Sequence, residues 1–143
     1  MLALLAAVSL AAPSAGHASN RTLKLTLAKW SHVIAVDAHG IGVSAWRKHP
    51  RRMARRAAHF RVDALHARRA LAGQRPSTAR GLRAKRLALA AFGYYAAVGR
   101  QWALSGQTRA QGRKRLAVAH ATSARRLARK GNRALRAAGI ALR

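Results

Sequence analysis

The chain has 143 residues with 29 Lys and Arg against two acids, Asp37 and Asp63, giving a formal net charge of +27. It has no Cys, which excludes disulfides, Cys-based zinc sites and thiol nucleophiles. With no Glu and its two Asp in different segments, the sequence shows no paired-carboxylate motif for acid–base catalysis.

A compact body with this charge repels itself and draws anions to its surface. Arginine outnumbers lysine 23 to 6, and the planar guanidinium fork grips phosphate and carboxylate bidentately. GC-rich coding alone raises Ala, Arg and Gly together, but it does not remove acids. Half of the residues are apolar, yet Ala supplies 36 of them. A buried Ala contributes little apolar area, so the composition predicts a thin core and modest stability.

Met1 to Ala18 carries no charged side chain. Leu2 to Ala12 is apolar or small apart from Ser9, Pro13 and Gly16 break the run, and Gly16-His17-Ala18 forms an acceptable cleavage site before Ser19. This is the pattern of an export signal over 1–18, too short for a membrane span, although its start lacks the usual Lys or Arg. The rest, 19–143, is predicted to be a single cationic helical domain.

The first helix is predicted over Arg21 to Ala38, with Asn20 as N-cap and Gly40 as stop; Leu23, Leu27, Trp30 and Ile34 follow helical spacing. Gly40 to His49 reads as a connector. The second helix starts at Pro50 and stops at Gly73, with Met53, Ala57, Phe60, Ala64, Ala67 and Leu71 repeating at alternating intervals of four and three. A third helix is predicted from Thr78 to Leu104, apolar nearly all round between Leu87 and Gly99, followed by a turn at Ser105 to Gln107. The fourth runs from Thr108 to Ala138, with Leu116, His120, Ser123, Leu127, Ala134 and Ala138 inward, Gly131 interrupting it and Gly139 ending it. Short connections between long helices predict an all-α, antiparallel up-down bundle of about four helices after the signal-like segment.

Basic patches are the strongest constellation. Arg51, Arg52, Arg55 and Arg56 crowd the start of the second helix, and Arg80, Arg83, Lys85 and Arg86 the start of the third. Helix N-termini are already partly positive, so cations there cost energy that a bound anion offsets. Arg125, Arg126, Arg129, Lys130 and Arg133 line the outer face of the fourth helix. These thirteen residues are the predicted polyanion-binding set. Zinc-finger spacing, an RNP motif, a P-loop and a nucleophile elbow are all missing, so any nucleic-acid binding is expected to be nonspecific. Trp30, Tyr94 or Tyr95, and Trp102 sit at core-compatible positions; Trp46, beside Arg47 and Lys48, is the aromatic expected at the surface.

His59, Asp63 and His66 share one side of the second helix, but Arg55, Arg56 and Arg69 crowd it. Spacing of this kind could chelate a divalent metal, but the crowding cations favour a solvated polar face on which Asp63 pairs with Arg55 or Arg56. His32, Asp37 and His39 form a loose group without a ligand pattern. No catalytic residue, metal ligand, cofactor or small-molecule substrate is assigned. The expected function is an exported, non-enzymatic bundle adsorbing to anionic envelope polymers or lipid headgroups, secreted or held at the cell envelope. The alternative is a cytoplasmic protein binding DNA or RNA nonspecifically; an enzyme or metal protein is a distant third.

Overall fold

The computed structural model of the chain describes residues 15–143. They form four helices: α1 (Ala15–Trp46), α2 (Pro50–Ala72), α3 (Ala79–Ala110) and α4 (Lys114–Ala141). No strand occurs among the described residues, so the all-α bundle follows the predicted periodicities. Most of the signal-like segment lies outside the described residues, and its predicted end after Ala18 falls in the first turns of α1.

Contacts climb one helix as they descend the next. Lys85 reaches back to Ala72 and Gln74, Phe60 meets Tyr95, and Gly106 lies against Pro50 and Ala54. The helices are therefore antiparallel in chain order, with α1 packed on α2, α2 on α3 and α3 on α4. Between α1 and α4 runs an open apolar groove of about 440 Å³, floored by Phe60, Tyr95, Val98 and Trp102.

α2 is the element whose sequence pattern carries over whole. Pro50 occupies its first turn, where a missing N–H costs nothing, and the six residues of the alternating seam are all buried. They face α3, whose Ala84, Ala88, Ala91, Phe92 and Tyr95 are buried in return. Phe92, Leu23 and Leu71 are the largest fully buried side chains, so the core is narrow and largely alanine, as the composition implied. Phe60 and Phe92 meet the Tyr95 ring edge-on at 6.2 and 5.7 Å.

Three predicted boundaries are corrected. α1 does not stop at Gly40 but continues to Trp46. Gly40 is buried with the Arg56 side chain filling the space a Cβ needs, Ile41 joins the core, and Ser44 Oγ donates to Gly40 O at 2.9 Å. This glycine serves close packing and does not end the helix. Nor is Asn20 an N-cap: it lies within α1 and its Nδ2 donates to Thr78 Oγ1 at 2.9 Å. Thr78 is itself the cap of α3, accepting from Gly81 N at 3.0 Å.

The α3–α4 turn lies not at Ser105 to Gln107 but after Ala110. Gly106 stays helical against α2, and the buried Ser105 hydroxyl donates to Ala117 O across the hairpin at 2.8 Å. The chain reverses at Gly112, with φ of +76°. Gly112 N donates to Arg109 O and Arg113 N to Thr108 O, the paired bonds that close a helix around a left-handed residue. The same closure ends α1, where Lys48 N donates to Ala45 O and His49 N to Ser44 O. There the left-handed position, at φ of 55°, is held by Lys48 without the freedom of glycine.

α4 is also shifted. It neither breaks at Gly131 nor ends at Gly139. Its buried line is Ala117, Ala124, Gly131 and Ala138, one residue every seven, while Leu116 is half exposed. A Cβ on Gly131 would meet the Tyr95 ring at 2.8 Å, so the small residues let α4 ride close on α3.

Candidate polyanion-binding surface

Every Lys and Arg of the chain lies among the described residues, and all but Lys85 are exposed. The seams explain this placement: with the inward positions of α2, α3 and α4 taken by Ala, Gly and a few large apolar side chains, the arginines fall on the outer faces.

At the start of α2, Arg51, Arg52, Arg55 and Arg56 are exposed. No acid lies in the first turn, and His49 at the N-cap provides no side-chain bond. His49, Pro50, Arg51, Arg52, Arg55 and Ala110 line a hollow of about 450 Å³. Ala110 is the last residue of α3, so antiparallel packing brings the carbonyl end of one helix beside the amide end of the other. That arrangement offsets part of the cost of cations at the α2 N-terminus.

At the start of α3, Arg80, Arg83 and Arg86 are exposed, but Lys85 is not a free cation. Its Nζ donates to Ala72 O and Gln74 O, both at 2.6 Å. Two of the three ammonium donors thus satisfy carbonyls at the end of α2, which ties Lys85 to the α2–α3 connection.

The densest array is on α4. Arg126, Arg129, Lys130, Arg133 and Arg136, with Asn132, surround a hollow of about 530 Å³ whose lining contains no acid. Arg125 is exposed but lies outside it. Arg136 was missing from the predicted set; its signal was present as i+7 from Arg129 and i+3 from Arg133. Two of the lining side chains are held from α3: the Tyr95 hydroxyl donates to Asn132 Oδ1 at 2.8 Å, and Lys130 Nζ stands 6.0 Å over the Tyr94 ring. Burial pushes the Tyr95 phenol above its ordinary range, and the charge of Arg136 pulls part of the way back.

The aromatic side chains divide as expected. Trp30 and Trp102 pack against the core and Tyr95 is buried, whereas Trp46 is 81% exposed beside Arg47 and Lys48.

The two acids depart from the sequence reading. Asp63 pairs with neither Arg55 nor Arg56; among the described residues, no Lys or Arg nitrogen stands within 4.0 Å of either carboxylate. Antiparallel packing of α1 on α2 instead brings Asp37 to His59 and Asp63. His59 Nδ1 is 3.5 Å from Asp37 Oδ2 and 3.3 Å from Asp63 Oδ2, and His66 Nδ1 is 3.9 Å from Asp63 Oδ1. Burial raises the Asp37 carboxyl above its ordinary range, the adjoining Asp63 carboxyl adds to the shift, and His59 opposes it. His32 and His39, grouped with Asp37 by sequence, are both exposed and take no part in this cluster.

Comparison with protein-family models, with curated proteins and with solved structures finds no match.

Proposed function

We propose that this chain is an exported, non-enzymatic helical bundle that adsorbs to anionic envelope polymers or lipid headgroups through its arginine faces. The observation that carries the reading is the α4 array, five cations around one hollow with no acid in its lining. Like charges held this close repel one another, and phosphate, sulfate or carboxylate groups relieve the repulsion while accepting forked hydrogen bonds. α4 rises 1.5 Å per residue, so the array from Arg126 to Arg136 is roughly 15 Å long and faces several charged groups of a polymer at once. Among the described residues no helix is long and apolar enough to cross a membrane, which favours lying on a charged surface over insertion.

Binding of this kind is multivalent, releases counterions and weakens steeply with salt. The test titrates the intact chain against heparin, vesicles containing anionic lipid, and duplex DNA, each at low and high salt. The variant Arg126→Gln, Arg129→Gln, Arg133→Gln, Arg136→Gln is expected to stay helical and to bind more weakly. Its log–log salt slope should flatten by about one unit per lost phosphate contact. Affinity indifferent to salt, or unchanged in that variant, overturns the reading. Binding to DNA alone transfers it to nucleic acid, and N-terminal sequencing of the mature protein, with Ser19 expected first, tests export.

A further inference from the structure

We infer that Asp37, His59 and Asp63 form a binding site for a divalent transition-metal ion of the zinc type. The site joins α1 to α2 and adjoins the arginine cluster at the start of α2.

Three observations carry this. The first is convergence. The chain has only two acids, 26 residues apart in sequence, and the fold brings both to one imidazole, with the three potential ligand atoms all within 4.8 Å of one another. In a chain of charge +27, the expected role of an acid is to pair with a neighbouring arginine, and neither does so.

The second is spacing. His59 Nδ1 stands 3.5 and 3.3 Å from the two carboxylate oxygens. Those separations are long for N–H···O bonds. Tetrahedral zinc with bonds of 2.0–2.2 Å sets its ligand atoms about 3.4 Å apart, which matches both separations from His59.

The third is an orphaned atom. Asp37 Oδ2 is shielded from solvent within a part-exposed side chain and makes no hydrogen bond; its ion-pair neighbour His59 stands off at 3.5 Å, which leaves room for another group to complete the carboxylate. A divalent ion does so, and two carboxylates with one neutral imidazole balance its charge. Imidazole with carboxylate suits zinc and its neighbours in the first transition row. His66 stands 3.9 Å from the second oxygen of Asp63 and edge-on to Trp30, too far for a hydrogen bond to that ligand.

The three ligands leave one coordination position open. Asp37 and His59 also line a hollow of about 440 Å³ with Arg52, Arg55 and Arg56. The guanidiniums weaken the attraction for a bare cation, but they are exposed and solvent-screened, and they favour a water or an anion as the fourth ligand.

The probe is Zn²⁺ itself, followed by calorimetry on the metal-free full chain, with Co²⁺ as its spectroscopic substitute. One saturable Zn²⁺ per chain is expected, with visible Co²⁺ bands of tetrahedral strength. Asp37→Asn and Asp63→Asn should each lower the affinity by at least about 100-fold, because loss of an outer-shell partner alone costs about 10–100-fold. His120→Gln, remote on α4, should leave it unchanged. Should the Asn variants fail to fold, nuclear magnetic resonance of the unaltered chain decides: Co²⁺ should perturb the amides of residues 37, 59 and 63 before any others. Absence of binding, binding indifferent to both Asn substitutions, or perturbation centred on other histidines overturns the inference.

Discussion

Gly99→Ala and Gly106→Ala should each destabilise the protein, although both residues lie inside a helix where alanine is the better former. At Gly99 an added Cβ would stand 2.8 Å from Ala57 O and 2.9 Å from Arg61 N; at Gly106 it would stand 2.6 Å from Pro50 O and 2.9 Å from Ala54 N. These are backbone atoms and cannot rotate away. α2 and α3 must part by roughly 0.6–0.8 Å to restore ordinary contact, and overpacking of that kind costs about 1–3 kcal/mol. Helix propensity returns about 1 kcal/mol. The expected net loss is therefore about 1 kcal/mol at each site. Gly93→Ala on the same helix meets only the Arg68 guanidinium, at 3.9 Å, and Gly42→Ala meets nothing within 4 Å. Both should gain about 1 kcal/mol. Thermal unfolding followed by circular dichroism resolves the contrast, at roughly 3–4 °C per kcal/mol for a chain of this size. If Gly99→Ala proves as stable as Gly93→Ala, the backbones of α2 and α3 do not approach as described.

Two further outcomes concern single residues. Lys48→Gly should raise stability by about 1 kcal/mol in urea denaturation, because a non-glycine left-handed conformation costs about 1–2 kcal/mol while glycine loses more chain entropy on folding. An unchanged midpoint contradicts that accounting. Tyr95 gives the pH dependence. Its phenol is raised in the folded state, so the fold holds a proton that the unfolded chain releases above pH 10. The resulting stability is complete below pH 10 and is lost as pH rises through the folded value. Tyr95→Phe should flatten this alkaline decline, and phenolate absorbance should show the Tyr95 titration coinciding with loss of helicity in the parent chain. Titration of Tyr95 as an ordinary phenol, well before unfolding, speaks against its burial.

α2 was readable because two independent signals agreed, Pro50 at the start and the seam from Met53 to Leu71. Glycine misled elsewhere. Gly40, Gly106 and Gly139 resemble stops, yet each remains helical; the stop is Gly112, the one glycine with positive φ among the described residues. A stop and a close approach both call for the absence of a Cβ, and only the position of a neighbouring helix separates them. The arginine faces were visible because surface placement follows from the period within one helix. The anchoring of Lys85 was not legible because its acceptors, Ala72 O and Gln74 O, lie at and beyond the end of another helix. The meeting of Asp37 with His59 and Asp63 depends on how far α1 slides along α2, and that register is set by Leu23, Leu27, Ile34 and Ile41 seating in the core. No short-range pattern records it.

Because each helix leans mainly on its immediate successor or predecessor in the chain, almost every contact is made across a tight hairpin. Little loop-closure entropy stands between the unstructured polypeptide and its first productive encounters. Such topologies have low relative contact order and assemble in microseconds to milliseconds. Rapid self-assembly also shortens the time for which an arginine-rich, loosely ordered polymer is open to capture by the first anionic surface it meets.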